Sequence, residues 1–372
     1  MSRCIKHLAS IMIICSTILS AVSCSKELDF GFKDLCFYHP HTAPVVLSVD
    51  WSVFRKIDNP SGMSVYVWNS NKTQDNLSKY LTHNINEDIT LNLKQGFYNA
   101  FVFNQSENEY ATLEFHNMTN FEQAEIRVKQ MKSNWYSTKH NDTKVGQEPE
   151  WLAVDCMPDI EVTEEMVKKA EEEFLATLNK KETRDIKTHN RLAKLVPKTI
   201  IKKIDIYIHL ENLQFLRSAL AAMENMAEGC MISTKQTTSN HVTHTISDWK
   251  LIFEKNEDGT DDKTRGALKA TITTFGLPQG HNGAPTDNNF FAKLLLIDDK
   301  TIVEANFPIG NLIADLNKYD GTQLDLQGNV IWPELHLNWP EPLPPVEPLG
   351  GDGGFNVGVG EWGDEVVTIL PI

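Results

Sequence analysis

Residues 200–210 read Ile-Ile-Lys-Lys-Ile-Asp-Ile-Tyr-Ile-His-Leu, and this alternation of apolar and polar side chains indicates the fold class. Successive side chains of a β-strand point to opposite faces of the sheet, so every second residue shares a face. Ile204, Ile206 and Ile208 therefore belong to one buried face. Lys202 is in phase with them, and we expect it to begin outside the buried part. The pattern predicts a strand with one face in a core.

Similar short segments occur on both sides of this strand. Strand patterns cover residues 45–54, 63–68, 89–93, 97–103, 244–253, 266–275, 289–297 and 301–305. Polar turns separate them, for example Asn59-Pro60-Ser61-Gly62 and Asp298-Asp299-Lys300. Short strands at this spacing are typical of antiparallel sandwiches and not of βαβ units. We therefore predict a mostly all-β chain that contains two tandem β-sandwich domains.

Other segments are predicted to form short helical connections. Residues 163–178 place Met166, Ala170 and Phe174 near one face of a helix, as the 3.6-residue period requires. Leu213 to Met226 shows a similar spacing and is predicted to be a short helix. Asn311 to Leu316 is predicted to make one or two helical turns.

These patterns predict a division of the chain into seven parts. We assign a signal peptide to residues 1–23, a lipidated segment to 24–44, a first sandwich to 45–158, a charged connection to 159–198, a second sandwich to 199–332, a Pro/Gly tether to 333–354 and a C-terminal strand segment to 355–372. The tether is predicted to be extended and then loose, because it is rich in proline and glycine. The last segment is expected either to fold back onto its own sheet or to complete the sheet of another subunit.

The first 24 residues have the layout of a secretory signal. Arg3 and Lys6 precede an apolar run over residues 11–19, and small residues follow as far as Cys24. The apolar run is too short to span a bilayer permanently. Cleavage before Cys24 would leave its thiol and the new amine for acyl chains such as palmitate, which is the lipoprotein arrangement. An ordinary secretory signal with a chance cysteine, or a start codon assigned too early, remains the alternative.

Composition excludes several classes of function. Removal of residues 1–23 takes away Arg3 and Lys6 and no acidic residue, so the mature chain carries 33 basic and 50 acidic residues and a formal charge of −17. Such a charge repels nucleic acid and anionic lipid, so we expect no nucleic-acid partner. Cys36, Cys156 and Cys230 have no metal-site spacing, and either one disulfide or three buried thiols would fit them.

No sequence motif predicts a catalytic, cofactor or metal site. The glycines of residues 358–363 match G-x-G-x-x-G, but too few residues follow for the helix and the acidic residue that a dinucleotide site needs. His39 and His41 would point to opposite sides of an extended chain, so a structural role is favoured over metal binding. His241, His244 and Asp248 are expected to be surface polar residues. Adjacent acids such as Glu164-Glu165 and Asp261-Asp262 fit a helix start and a turn better than a glycosidase cleft. We therefore predict a non-enzymatic protein without cofactors.

The motifs on which a family resemblance rests extend over most of the mature chain. They are Cys24-Ser-Lys-Glu, Leu35-Cys36-Phe37-Tyr38-His39-Pro40-His41, Val49-Asp50-Trp51-Ser52, Gly62-Met63-Ser64-Val65-Tyr66, Leu93-Lys94-Gln95-Gly96-Phe97-Tyr98 with Val102-Phe103-Asn104, Thr273-Thr274-Phe275-Gly276-Leu277-Pro278 and Gly360-Glu361-Trp362-Gly363-Asp364-Glu365. With them the chain resembles the fimbrillin-associated lipoproteins of Bacteroidota, especially the fimbrial anchor and minor-subunit group and a related family of unknown function.

This resemblance implies two transthyretin-like sandwich domains and a role in surface pili or adhesion. The polar residues 25–29 resemble the signal that exports Bacteroidota lipoproteins to the outer face of the outer membrane. Polymerising members of the pilin class lose an N-terminal strand by cleavage after a basic residue. Apart from Lys26 and Lys33, no such site is evident between Cys24 and Val45, which favours an anchor or accessory subunit that keeps its lipid.

Two functional hypotheses follow. In the first, a lipid-anchored fimbrial subunit exchanges strands with pilin subunits through its sheet edge. The tail residues expected to take part are Phe355, Val357, Val359, Trp362, Val367 and Ile369. In the second, a surface lipoprotein binds glycans through exposed aromatic side chains, with Trp135, Trp151, Trp332 and Trp339 as candidates, although tryptophan is more often a core residue.

Overall fold

A computed structural model of the chain describes residues 41–52, 60–70, 77–137, 144–180 and 191–349. The strands are β1 (Ala43–Val49), β2 (Met63–Asn69), β3 (Leu77–Thr82), β4 (Ile89–Leu93), β5 (Gly96–Asn104), β6 (Leu113–His116), β7 (Glu125–Val128), β8 (Gln130–Met131), β9 (Val145–Gly146), β10 (Ala153–Val162), β11 (Arg191–Leu195), β12 (Lys198–Thr199), β13 (Lys202–Glu211), β14 (Leu216–Ala227), β15 (Gly229–Met231), β16 (His241–Ile246), β17 (Lys250–Lys255), β18 (Asp261–Thr274), β19 (Asn289–Leu296), β20 (Ile302–Pro308) and β21 (Glu334–Asn338).

Helices are few in these residues. The α-helices are α1 (Asn134–Ser137) and α2 (Glu164–Lys180), and the 3-10 helices are Glu107–Glu109, Phe121–Gln123, Leu213–Phe215, Pro285–Asp287 and Leu316–Lys318. The prediction of a mostly all-β chain with short helical connections is confirmed.

The chain divides into two compact units. The described part of the small unit comprises residues 41–45, 90–95 and 162–180, and it contains α2 and most of β4. Thr163 caps α2, because its Oγ1 accepts a hydrogen bond of 3.3 Å from the Met166 N–H. Ala170 is buried, as the spacing predicts. Val167, which the prediction did not include, is also buried, and Met166 and Phe174 are half-buried.

The large unit comprises residues 46–89, 96–161 and 191–372, and the described part of it contains most of the strands. Its sheets have the strand orders β12-β10-β5-β2-β3, β17-β18-β13-β21, β20-β19-β14-β16-β9-β8 and β15-β7-β6. Most neighbouring strands run antiparallel. β13 and β21 are parallel, as are β16 and β9, and β1 and β11. Parallel pairs need long connections between their strands, and turn signals in a sequence do not reveal them.

A large hydrophobic core runs through the described part of the large unit. It includes the aromatic cluster around Tyr66, Trp68 and Phe101, the buried face of β13, and side chains as far along the chain as Leu343. Strands from both predicted sandwiches share sheets, because β9 pairs with β16 and β7 pairs with β15. The domain boundaries drawn from the sequence remain a prediction.

Several predictions of local structure are wrong. Leu213 to Met226 is predicted as a helix, but β14 occupies most of it, because a strand buried on both faces need not alternate. Lys202 is only 8% exposed and lies inside the buried part of β13. Arg191–Leu195, expected within a solvated connection, pairs with β1. β21 lies in the part of the tether that is predicted to be extended, and it pairs with β13 in the sheet.

Candidate functional site

Several residues that the sequence singles out lie outside the described residues. These are the lipidation site Cys24, the thiol Cys36, the imidazole His39, and the tail positions Phe355, Val357, Val359, Trp362, Val367 and Ile369. They remain predictions. The two other cysteines of the mature chain are described: Cys156 is half-buried, Cys230 is buried, and both are free thiols.

Two of the four candidate tryptophans line the same cavity, although 181 positions separate them in the sequence. Trp151 and Trp332 are half-buried and share walls of a cavity of about 240 Å³ with Thr199, Lys203 and Gly321. Aromatic faces beside polar side chains are suited to a sugar ring, which has apolar and hydroxylated surfaces. Both tryptophans are candidates from the sequence, but no pattern in the sequence indicates that they meet.

The shape of this cavity depends on Gly321. This residue has a φ of +74°, a backbone conformation that glycine adopts without steric cost. A Cβ atom at this position would lie 2.5 Å from Thr199 Cγ2 and 3.6 Å from Trp332 Cη2. The absent side chain therefore lets the backbone at Gly321 approach Thr199, whereas the distance to Trp332 would be an ordinary van der Waals contact.

Glu148 and Thr273 fix the wall of the cavity next to Trp151. The Thr273 N–H donates a 3.0 Å hydrogen bond to Glu148 Oε2, and Thr273 Oγ1 donates a 2.9 Å bond to the Pro149 carbonyl. Burial raises the pKa of the Glu148 carboxyl, and the bonds from Thr273 oppose this effect. The segment before Trp151 is thus attached directly to β18.

The other two candidate tryptophans lie elsewhere. The Trp135 ring is stacked against Phe291 with ring centroids 6.3 Å apart, and it also contacts Tyr136 edge-on. Trp339 is half-buried and packs at 6.0 Å from the ring of Phe307. These contacts explain Trp135 and Trp339 as packing residues. The candidate aromatic site therefore consists of Trp151 and Trp332.

The candidate histidines form no metal centre in the part of the chain that the structure describes. His41 Nδ1 lies 2.7 Å from Glu171 Oε1 on α2, and this contact lies at the surface, because the His41 side chain is 72% exposed. His241 and Asp248 are exposed, as predicted. His244 is fully buried, and the prediction of a surface position is wrong, because β16 lies between β14 and β9 inside its sheet.

The paired acids have local partners and do not converge on a cleft. Glu164 forms an i,i+4 ion pair with Lys168 at 2.7 Å. Asp261 pairs with Lys255 across a hairpin. Asp262 accepts a 2.9 Å bond from the Thr264 N–H. These contacts explain the acids as helix-start and turn residues, as the sequence suggests.

β20 provides a well-defined sheet edge. It is an end strand of the six-stranded sheet, and seven consecutive residues pair with β19 without a register shift. By contrast, the register of the end strand β17 shifts between Phe253 and Glu254. Among the described strands at sheet ends, β20 has the longest unbroken register, with seven residue pairs against six for β3.

Hydrogen bonds at its two ends show which way the β20 backbone points. The Leu296 N–H donates to the Thr301 carbonyl, and the Ile309 N–H donates to the Asn288 carbonyl. In an antiparallel ladder the hydrogen-bonded pairs recur at every second residue, so the odd-numbered residues bond to β19. Ile302 and Asn306 then direct their N–H groups away from β19, and Pro308, which has no N–H, falls in the same set. No other described strand pairs with that side.

None of the helices in the described ranges is long and apolar enough to cross a bilayer.

Comparison with known proteins identifies the family and the fold. Residues 23–247 match the model of a family described as a domain of unknown function, DUF5119. No curated protein matches the sequence. A solved structure of a proposed adhesin from Bacteroides ovatus is 13% identical with a TM-score of 0.50, over 82% of this chain and 94% of that one. This likeness shows a shared fold.

Two fimbrial proteins of Porphyromonas gingivalis are also among the similar structures. The fimbrial anchor protein Mfa2 is 11% identical with a TM-score of 0.37, over 68% of this chain and 77% of that one. The tip fimbrial protein Mfa3, with a C-terminal truncation, is 11% identical with a TM-score of 0.33, over 78% and 91%. The match over residues 23–247 confirms the part of the predicted resemblance that concerns a family of unknown function.

Proposed function

This chain belongs to the DUF5119 family, and we propose that it is a non-enzymatic surface lipoprotein of the outer membrane that acts as a fimbrial anchor, minor subunit or adhesin. It contacts pilin subunits by strand addition at a sheet edge. The observation on which this proposal mainly rests is the edge of β20, where Ile302 and Asn306 direct backbone N–H groups away from the sheet. Such an edge is a template for an extended partner strand.

The fold is the second support. The similar structure from Bacteroides ovatus is described as a proposed adhesin, and its fold extends over most of both chains. A β-rich lobe with one extended core supplies a rigid support for an edge that receives another strand. The high negative charge of the chain fits a protein that works in solution at a cell surface without nucleic acid.

The predicted lipid at Cys24 is the third support. Each buried CH2 of an acyl chain contributes about 0.8 kcal/mol, and two or more chains hold a protein on a membrane stably. The residues after the cysteine are polar and charged. A lipoprotein held in this way needs no transmembrane segment and can present its sheets outside the cell.

Asn306→Pro tests the strand edge. The substitution removes an N–H that points away from β19, and the exposed Asn306 side chain contributes little packing. We expect the variant to keep its circular dichroism spectrum and its thermal midpoint. Fimbrial subunits that co-purify with the tagged wild-type protein from detergent-solubilised outer membranes should be lost. Asn306→Ala, which keeps the N–H, is the matched control.

Two results would contradict this proposal. Recovery of the same subunits with Asn306→Pro would show that β20 does not receive a strand. Absence of any fimbrial subunit with the wild-type protein would reject the fimbrial role. In the same preparations, mass spectrometry of the N-terminal peptide should find acyl chains on Cys24, and Cys24→Ala should leave the membrane fraction. An unmodified Cys24 thiol in the wild-type protein would exclude the lipid anchor.

A glycan-binding lipoprotein is the second candidate, because Trp151 and Trp332 share one cavity. If a sugar ring stacks there, Trp332→Ala should weaken glycan binding about tenfold. Trp339→Ala, a matched loss of a half-buried ring outside the cavity, should leave binding unchanged. Glycan-array binding that is equal in both variants, or lost in both while they stay folded, would reject this site.

A further inference from the structure

Lys202 is a buried cation without a close anionic partner. It is the first residue of β13, pairs with Thr274 of β18 and is 8% exposed. Among the described residues its ammonium group makes no hydrogen bond, and no carboxylate lies within 4.0 Å of it. Its Nζ atom keeps contact with solvent, because it is not one of the described side-chain atoms that are fully buried without a partner. An ammonium group that stays hydrated in this way needs an open cleft to contact.

The ammonium group faces such a cleft. A cleft of about 710 Å³ is lined by Lys198, Lys202 and Lys235, with Gln236, Gln279 and Asn317 among the other walls. This volume lies within the range of about 300–1,000 Å³ that is usual for small-molecule sites. The cleft belongs entirely to the large unit and does not include the tryptophan cavity's two rings.

The two other lysines of this cleft are already neutralised. Lys198 Nζ lies 2.9 Å from Asp320 Oδ2, and Lys235 Nζ lies 2.6 Å from Asp155 Oδ1. Lys198 and Lys235 are exposed, whereas Lys202 is buried. Of these three lysines, Lys202 is the one without a carboxylate within 4.0 Å among the described residues.

Hydrogen bonds hold the part of the cleft lining that includes Leu277 and Asn317, called the floor below, in one conformation. The Asn317 side chain forms two hydrogen bonds with the Leu277 backbone. Its Oδ1 accepts a 2.8 Å bond from the Leu277 N–H, and its Nδ2 donates a 2.9 Å bond to the Leu277 carbonyl. Thr237 Oγ1 donates a further 2.7 Å bond to that carbonyl. Gly276, with φ +112°, makes the approach possible, because a Cβ there would lie 2.2 Å from Asn317 Oδ1. A rigid floor lowers the entropic cost of binding.

Burial lowers the pKa of the Lys202 ammonium group, and the charge of Asp320 opposes this effect. An anion bound in the cleft would favour the charged form in the same way, at shorter range. The Cys230 thiol also lines the cleft, but burial raises its pKa to about 12, so it supplies no anion near neutral pH. Asp320, which also lines the cleft, is the carboxylate whose charge acts on Lys202, but it is paired with Lys198.

We propose that this cleft binds a small hydroxylated ligand with one anionic group, a sugar acid by chemical class, whose oxyanion contacts Lys202 Nζ. One unbalanced cation fits one oxyanion. The side-chain amides of Gln236 and Gln279 are exposed at the cleft, and amides both donate to and accept from hydroxyl groups. This site goes beyond the proposed role in fimbriae and does not depend on strand addition.

Calorimetric titration of the full-length protein tests the proposal with three probes: glucuronate, glucose 6-phosphate and glucose. We expect glucuronate to bind at least about tenfold more tightly than glucose, because only the anion contacts Lys202. The phosphate probe distinguishes a carboxylate site from a general oxyanion site. Added salt should weaken binding of the anions and leave that of glucose unchanged.

Lys202→Met should remove the preference for glucuronate over glucose, while Lys300→Met, in the exposed turn between β19 and β20, should keep it. Methionine has a similar length, and replacement of an unbalanced buried charge by an apolar group is expected to preserve folding. Circular dichroism checks this point. If the variant does not fold, the affinities of the wild-type protein for the three probes still test the proposed anion site.

Three outcomes would overturn the proposal. They are equal wild-type affinity for glucuronate and glucose, an unchanged preference in folded Lys202→Met, and no wild-type binding of either anion at up to about 10 mM. In the last case Lys202 would be a lysine solvated by the open cleft.

Discussion

At the scale of single residues, the imidazole of His244 is fully enclosed by protein atoms, with an exposed fraction of 0%. Its Nδ1–H donates a 3.3 Å bond to the Gly146 carbonyl, and Nε2 has no hydrogen-bond partner in the described part of the chain. Burial lowers the pKa of this group from 6.5 to about 4, because the charged form would lose its hydration. The folded protein therefore holds a neutral imidazole.

His244 should make stability depend on pH in a defined window. Between pH 6.5 and 4 the unfolded chain binds a proton that the folded protein does not, so the free energy of unfolding falls as the pH falls. The contribution of about 3 kcal/mol is fully present above pH 6.5 and lost near pH 4. We expect His244→Gln to flatten the pH dependence in this window, as measured by chemical denaturation at several pH values.

His241→Gln is the control for this prediction, because His241 lies on the same strand and is exposed. It should keep the slope of the wild-type protein. If His244→Gln shows the same slope as His241→Gln, the buried imidazole does not control stability in this range.

At the scale of elements, β14 shows how tertiary structure overrides local preference. Its sequence is rich in alanine, leucine and methionine, which favour helices, and its apolar residues recur at helical spacing. In the fold it lies between β19 and β16, and most of its side chains are buried. A central strand with two covered faces loses the alternation that identifies strands in a sequence.

The packing of β21 shows whether this proline-rich segment is a strand of the sheet or a loose spacer. Leu335 and Leu337 are 2% and 4% exposed, whereas Asn338 is exposed. We expect Leu337→Ala to reduce the free energy of unfolding by about 2–5 kcal/mol, because it leaves a cavity beside β13. Asn338→Ala should change it by no more than about 0.5 kcal/mol. Equal effects in thermal or chemical denaturation would mean that this segment does not pack in the core.

At the scale of the whole molecule, the large unit is organised around one core that the sequence order does not reveal. The aromatic cluster near Tyr66 belongs to the same set of buried side chains as Leu343. Pairing of β7 with β15 and of β9 with β16 joins segments separated by about a hundred residues. The edge of β20 and the cleft at Lys202 are both parts of this one unit.

The site residues differ in how far the sequence could identify them. Trp151 and Trp332 were recognisable as candidates, but only the fold places them in one cavity. The sequence contains a signal for the burial of Lys202, because this residue lies in phase with Ile204 and Ile206. The same phase also fits a strand whose first residue lies in solvent. The direction of the β20 N–H groups depends on the pairing of β20 with β19. The turn signal at Asp298-Asp299-Lys300 predicts this pairing, but it does not show that β20 is the last strand of its sheet.

The amino-acid sequence by itself determined the β class, the helix α2, the hairpin of β19 and β20 and the family resemblance, because side-chain periodicity and turn chemistry are local properties. Tertiary structure decided the order of strands, the parallel position of β21, the burial of Lys202 and His244, and the meeting of Trp151 with Trp332. These features arise from contacts between residues far apart in the chain, and a local pattern of polarity does not specify which distant surface will cover it.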